Sequence, residues 1–209
     1  MDKKSLIDYW KKGKVITNKK VIEAFRKVKR EDFIPKVLKD RVYEDNPLEI
    51  GFGQTISQPT TVMIMTQALN VKEGDKILEV GTGSGYQSAI LSVLVGKNGK
   101  VYTTEIIKEL YELSKKNLIP YKNVKVFNID GSQGLKSYKP FDRIIITAAS
   151  PRIPENLIEQ LKLNGILITP VGDRYNQEML KIIKKKNKLE IKGLGDFLFV
   201  PLKGKYGFE

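Results

Sequence analysis

Lys76-Ile-Leu-Glu-Val-Gly-Thr-Gly-Ser-Gly-Tyr-Gln-Ser-Ala-Ile-Leu91 is the stretch from which the fold can be read. Ile77, Leu78 and Val80 form a short apolar run, bounded before by Gly74-Asp75 and after by glycines at 81, 83 and 85. That pattern is a buried strand entering a tight turn. Beyond the turn Ala89, Ile90, Val93 and Leu94 recur at helical spacing, so the glycines lie between the end of a strand and the start of a helix. Glycine lets the backbone approach a ligand without Cβ atoms in the way. The helix start adds unpaired N–H groups.

A dinucleotide turn reads G-x-G-x-x-G, whereas this one reads G-x-G-x-G with Tyr86 in place of the last glycine. The pattern favours a nucleoside ligand without a pyrophosphate. Val101-Tyr-Thr-Thr-Glu105 reads as the next strand. It ends in a carboxylate about 20 residues past the glycines, the spacing at which an acid grips ribose hydroxyls. Alone, Glu105 reads equally well as a solvated residue opening the following helix; beside the glycine turn, the ribose role is preferred. A ligand with adenosine and no diphosphate points to S-adenosylmethionine.

Composition bounds the chemistry. At 209 residues, with 41% hydrophobic and 29% charged residues, the chain is expected to form one globular unit with its own core. No apolar segment approaches the roughly 20 residues that cross a bilayer, and the charged start lacks a signal-peptide core; a cytoplasmic location is the expectation. The sequence holds neither cysteine nor histidine, which removes disulfides, thiolate nucleophiles, imidazole bases and His- or Cys-ligated metals. No metal is expected. The net charge of +13 raises nucleic acid as a partner. The cations are scattered, however, and the densest run, Lys184-Lys185-Lys186 with Lys188, flanks Asn187 at an expected hairpin turn and reads as a solvated turn.

Taken in order, residues 5–12 and 19–28 have helical spacing, and Trp10 reads as a packing anchor. Residues 30–35 and 43–59 show little periodicity, and so long an irregular stretch is expected to serve a site. Residues 60–69 read as a buried helix, which Ser57 could cap. From residue 72 strands at 76–80, 100–104, 124–128, 141–147, 165–170, 178–185 and 189–200 alternate with helices at 85–95, 106–117 and 154–161. The expected fold is α/β: a mostly parallel, doubly wound, Rossmann-like sheet with an antiparallel C-terminal hairpin and an N-terminal helical extension. We expect a single domain over 1–209, with helices and a site loop in 1–71 and the cofactor-binding core in 72–209.

Several segments carry a family resemblance. Arg30-Glu-Asp-Phe-Ile-Pro35, Gly51-Phe-Gly-Gln-Thr-Ile-Ser-Gln-Pro59, Glu79-Val-Gly-Thr-Gly-Ser-Gly-Tyr86, Thr147-Ala-Ala-Ser-Pro-Arg-Ile-Pro154 and Phe199-Val-Pro-Leu202 resemble, in order, the signatures of protein-L-isoaspartate O-methyltransferases. The glycine turn is common to many methyltransferases, while Gly-Gln-Thr-Ile-Ser-Gln-Pro is specific to this family. The resemblance implies a class I methyltransferase that repairs damaged proteins. It would move a methyl group from S-adenosylmethionine to the α-carboxylate of isoaspartyl residues, giving S-adenosylhomocysteine and a peptide methyl ester. By position it implies Ser57 as the active-site serine and Thr55 and Ile56 as the loop over cofactor and peptide. It also implies Gly81, Thr82, Gly83 and Gly85 beside the methionine part, Glu105 at the ribose, Asp130-Gly131 beside the adenine and, least firmly, Gln177 near the cofactor. Phe52, Ile129 and Ser150 depart from the family pattern.

The chemistry suits this composition. A carboxylate with a pKa near 4 is ionised at neutral pH, so its methylation needs no general base, only alignment and exclusion of water. Isoaspartyl peptides and proteins are the expected partners of a monomer, without membrane or nucleic acid. A nucleic-acid methyltransferase is the nearest rival, since the fold does not set the substrate. Against it, Thr147-Ala-Ala-Ser150 lacks the Asn/Asp-Pro-Pro-aromatic element of base amino-group methylation, and no cysteine exists for a covalent cytosine mechanism. A non-catalytic binding module is the other alternative.

Overall fold

The computed structural model describes residues 1–208. The chain opens with helices α1 (Lys3–Lys12) and α2 (Lys19–Lys27), followed by 3-10 turns at Arg30–Phe33 and Lys36–Arg41. Next come strands β1 (Leu48–Gly51) and β2 (Gln54–Ile56) and helix α3 (Pro59–Leu69). The alternating part runs β3 (Lys76–Val80), α4 (Tyr86–Val95), β4 (Lys100–Glu105), α5 (Lys108–Asn117), β5 (Val124–Asn128), β6 (Phe141–Ile146) and α6 (Glu155–Ile158). It closes with β7 (Leu161–Gly172), β8 (Gln177–Lys184) and β9 (Leu189–Phe197).

Seven strands form one sheet in the order β5-β4-β3-β6-β7-β8-β9. The pairs from β5 to β7 are parallel and the last two antiparallel. The β8–β9 turn falls at the lysine run, where the Lys185 amide donates to the Lys188 carbonyl at 2.9 Å. The strand order reverses between β3 and β6, so their C-terminal ends leave a crevice beside the glycine turn.

Three apolar clusters fill the molecule, and none is confined to the N-terminal segment. The first joins α1 and α2 (Trp10, Phe25) to Tyr86, Ile90 and Leu110 of the alternating part. The second packs β3, β6 and β7 against Leu157 and Ile158, and the third sets Met65 and Leu69 of α3 on Ile145 and Ile168. Trp10 is fully buried. It meets the Phe25 ring edge-on at 4.7 Å, a geometry worth about 0.5–1.5 kcal/mol beyond area burial. No helix among the described residues is long and apolar enough to cross a membrane.

Four expectations are corrected. Residues 43–59 are not wholly irregular: β1 and β2 form an antiparallel hairpin with a register shift between Glu49 and Gly51. Helix α6 ends at Ile158 rather than residue 161, because Leu161 already pairs with Phe141 and the Phe141 amide donates to the Gln160 carbonyl at 2.9 Å. For the same reason β7 begins earlier than residue 165. The turn expected at Asn164-Gly165 is absorbed within the strand, with Asn164 at φ 62°.

Candidate active site

The turn after β3 takes left-handed backbone angles at Gly81, Gly83 and Gly85, with φ of 95°, 53° and 94°. At Gly81 space is as restrictive as conformation: an added Cβ would lie 2.4 Å from Thr147 Oγ1. That hydroxyl donates to the Gly81 carbonyl at 2.6 Å and the Val80 carbonyl at 3.1 Å, so the residue just after β6 clamps the turn. Gly85 is the N-cap of α4 and packs against Leu118.

Glu105 closes the opposite side. Its Oε2 accepts the Gly83 amide at 2.8 Å and its Oε1 accepts the Ile107 amide at 2.9 Å. Each oxygen keeps one lone pair for a ligand hydroxyl. The carboxylate is therefore held across the glycine turn by donors from both flanking loops.

Two adjoining compartments open here. The first, of about 570 Å³ including open solvent, is lined by Gln54, Thr55, Gly81, Gly83, Glu105, Gly131, apolar Ile106, Ile107 and Leu110, and by Val200 to Lys203. The second, of about 420 Å³, is lined by Thr55, Ile56, Ser57, Gly81, Thr82, Gly83 and Tyr86 among others. Thr55, Gly81, Gly83 and Thr147 border both. A carboxylate with apolar walls fits ribose hydroxyls and an adenine ring, and it disfavours a diphosphate.

Ser57 stands in the second compartment and does not cap α3. The cap is Gln58, with no side-chain cap bond; instead Asp45 accepts the Thr60 amide at 2.9 Å and the Thr60 hydroxyl at 2.6 Å. Thr60 Oγ1 in turn accepts Trp10 Nε1–H at 2.6 Å. The half-buried Ser57 hydroxyl makes no hydrogen bond among the described residues, so nothing in the fold employs it.

Gly85, Asp130 and Gln177, all named from the sequence, lie outside both linings. Gly131 borders the first compartment, but Asp130 turns its carboxylate to Ser132, Gln133 and the Lys205 amide. Burial alone would raise this carboxyl; the hydrogen bonds from Lys205, Ser132 and Gln133 outweigh it and hold the group below the usual range. Gln177 is buried, accepting the Phe199 amide at 2.7 Å and donating to the Asp173 carbonyl at 2.8 Å. Phe52 stands 57% exposed at the hairpin tip with φ 56°, and Ser150 is buried with no partner for its hydroxyl among the described residues.

Other features beside the cleft were not legible in the sequence, among them the buried arginine that backs Tyr86, a residue of the second compartment. Arg30 is fully buried, donates from Nε to the Val42 carbonyl at 2.9 Å, and lies 5.2 Å over the Tyr86 ring. Loss of solvent pulls its guanidinium down to about 10, and burial raises the Tyr86 hydroxyl above the ordinary tyrosine range. Thr147 and Val200 to Leu202 lay within quoted motifs and Lys203 just beyond one, yet no pattern marked them as walls of the cleft.

Comparison with known proteins agrees with this geometry. The profile of the protein-L-isoaspartate(D-aspartate) O-methyltransferase family matches residues 1–207. A protein-L-isoaspartate O-methyltransferase of Methanosarcina mazei is 47% identical over 197 residues, covering 93% of this chain and 81% of the relative. That of Dictyoglomus turgidum is 46% identical over 209 residues, covering 99% and 93%. A Plasmodium falciparum protein assigned to the same activity, solved with S-adenosyl-L-homocysteine, superposes with a TM-score of 0.85 at 30% identity, covering 97% and 99%. With the motifs, the sheet and the two-compartment cleft all in agreement, this chain belongs to the protein-L-isoaspartate(D-aspartate) O-methyltransferase family.

Proposed function

We propose that the first compartment holds the nucleoside of S-adenosylmethionine and that the second receives the isoaspartyl carboxylate beside Ser57. The observation that carries this reading is the Ser57 hydroxyl, unused by the fold, in a compartment sharing Thr55, Gly81 and Gly83 with the Glu105 compartment. When bound, the donor supplies a methyl group on a sulfonium and leaves as S-adenosylhomocysteine. The isoaspartyl oxygen forms the new O–C bond as the S–C bond breaks, with no proton to move.

The protein's part is placement. Glu105 accepts the ribose hydroxyls, while Ile106 and Ile107 offer apolar surface to the adenine. The backbone of Gly81, Thr82 and Gly83 borders the methionine part, and Gly85 fixes the start of α4. Thr55 and Ile56 separate the compartments and exclude water from the reacting atoms. Ser57 donates to the acceptor carboxylate and holds one oxygen in line. It is no nucleophile, since no base among the described residues lies within hydrogen-bond reach of it. Alignment of this kind supplies on the order of 7 kcal/mol or more.

We infer further that the protein acts in the cytoplasm as a monomer of one domain, on isoaspartyl peptides and proteins, with no role for nucleic acid. The test is release of volatile methanol after transfer from tritiated donor. An isoaspartyl peptide should be methylated, and its aspartyl twin and RNA should not. Because the twin carries the same charge, equal labelling of both peptides would defeat the reading, and labelling of RNA alone would favour the nucleic-acid alternative.

A further inference from the structure

After β9 the chain runs back across the sheet. The Phe199 amide is held by Gln177 Oε1. The Ala149 amide donates to the Val200 carbonyl, and the Leu202 amide to the Ala149 carbonyl, each at 2.8 Å. This strap places Val200, Pro201, Leu202 and Lys203 along the first compartment. It then folds into a turn in which the Gly207 amide donates to the Gly204 carbonyl at 3.0 Å and the Phe208 amide to the Leu202 carbonyl at 2.9 Å.

The turn is fastened at the end of β5. Asp130 Oδ2 accepts the Lys205 amide at 2.8 Å, and Ser132 Oγ accepts the Tyr206 amide at 3.0 Å. Asp130 Oδ1 accepts the Ser132 amide at 2.9 Å and the Ser132 hydroxyl at 2.6 Å, while Gln133 Nε2 reaches Oδ2 at 3.1 Å. A carboxylate offers about four acceptor positions, and these four donors fill them, leaving none for an adenine amino group. The fit is close as well as saturated: a Cβ on Gly204, at φ 119°, would lie 2.0 Å from Asp130 Oδ1.

We propose that Asp130 is a positioning residue that latches the C-terminal strap and so builds one wall of the nucleoside compartment, acting on the cofactor through Val200 to Lys203 rather than by touching it. This rests on the reading of that compartment as the S-adenosylmethionine site. Gly131, next in the chain, lines the compartment directly, so strap and turn converge on the same pocket from two sides. Asp130→Asn would leave one oxygen and set an NH2 group against amide donors, which undoes the latch without changing the size of the side chain. Gly204→Ala disturbs the same joint from the strap.

The experiment compares the full-length protein with both variants by calorimetry, using S-adenosylhomocysteine and S-inosylhomocysteine, in which the 6-amino group is replaced by oxygen. A lost charge-assisted hydrogen-bond network predicts about tenfold or greater weakening, by the same factor for both ligands in both variants. Amide hydrogen exchange at residues 200–206 should rise in the unliganded variants, a readout that a direct adenine contact would not move. Weakening confined to S-adenosylhomocysteine would make Asp130 an adenine ligand and overturn the proposal, as would wild-type affinity in Gly204→Ala. If the unaltered protein binds neither ligand, the cofactor reading falls and takes this proposal with it, an outcome distinct from normal binding that the variants leave unchanged.

Discussion

At Ser57 two readings that coexist in the sequence separate on one atom. The hydroxyl would have to reach the first amides of α3 to act as a cap, and Asp45 occupies that place. Since Ser57→Ala removes no hydrogen bond of the fold, thermal stability should be unchanged. Turnover should fall by about a hundredfold or more, as when one donor to a reacting oxygen is removed, with affinity for S-adenosylhomocysteine retained. Steady-state kinetics beside calorimetry checks this, and near wild-type turnover would remove Ser57 from the chemistry. Glu79, fully buried beneath the glycine turn, makes a different prediction. Burial pushes its carboxyl up to about 8, against the opposing hydrogen bonds from Ser88 and Thr103. Between the ordinary carboxylate range and that value the folded protein keeps a proton that the unfolded chain has released, so stability falls as pH rises through the window and levels above it. Glu79→Gln lacks this slope. The Tm difference between variant and wild type should move steadily in the variant's favour from about pH 5 to about pH 8, and a constant difference would contradict the assignment.

At the scale of elements, the site depends on how the β1–β2 hairpin enters α3. The hairpin escaped the sequence reading because its strands have four and three residues. In addition, Gly51-Phe-Gly53, all at positive φ, breaks the alternation that marks a strand. Its role is legible only through the contacts of Asp45 and Trp10 with Thr60, fifteen and fifty residues away in sequence. Asp45→Ala should lower stability by about 1 kcal/mol through the lost cap. Because the same joint orients Ser57, it should lower kcat on isoaspartyl peptide more than it weakens cofactor binding; denaturant melts and kinetics on one preparation separate the two effects. The early end of α6 has a similar origin, since the pairing of Leu161 with Phe141 draws the chain into the sheet before helical periodicity runs out.

For the molecule as a whole, the crevice lies where the strand order reverses, between β3 and β6, and a ligand there touches the hairpin, the alternating core and the C-terminal strap together. Such a ligand stabilises the folded state by mass action, by about 2.7 kcal/mol at a hundredfold excess over Kd. For a chain of this length that corresponds to a Tm increase of roughly 5–10 °C. A thermal melt with S-adenosylhomocysteine should show it and Glu105→Ala should largely abolish it; an unshifted melt of the wild type would contradict the cofactor site. The sequence by itself determined the α/β alternation, the glycine turn, the acid at the end of β4 and the family, because each is written in local periodicity or in a contiguous motif. Only the tertiary structure decided that Ser57 is released from capping, that Asp130 faces the strap instead of the compartment, and that residues 200–203 wall the cleft. Those outcomes rest on hydrogen bonds between segments far apart in the chain, and a side chain's partner at that range is set by how the sheet brings the segments together.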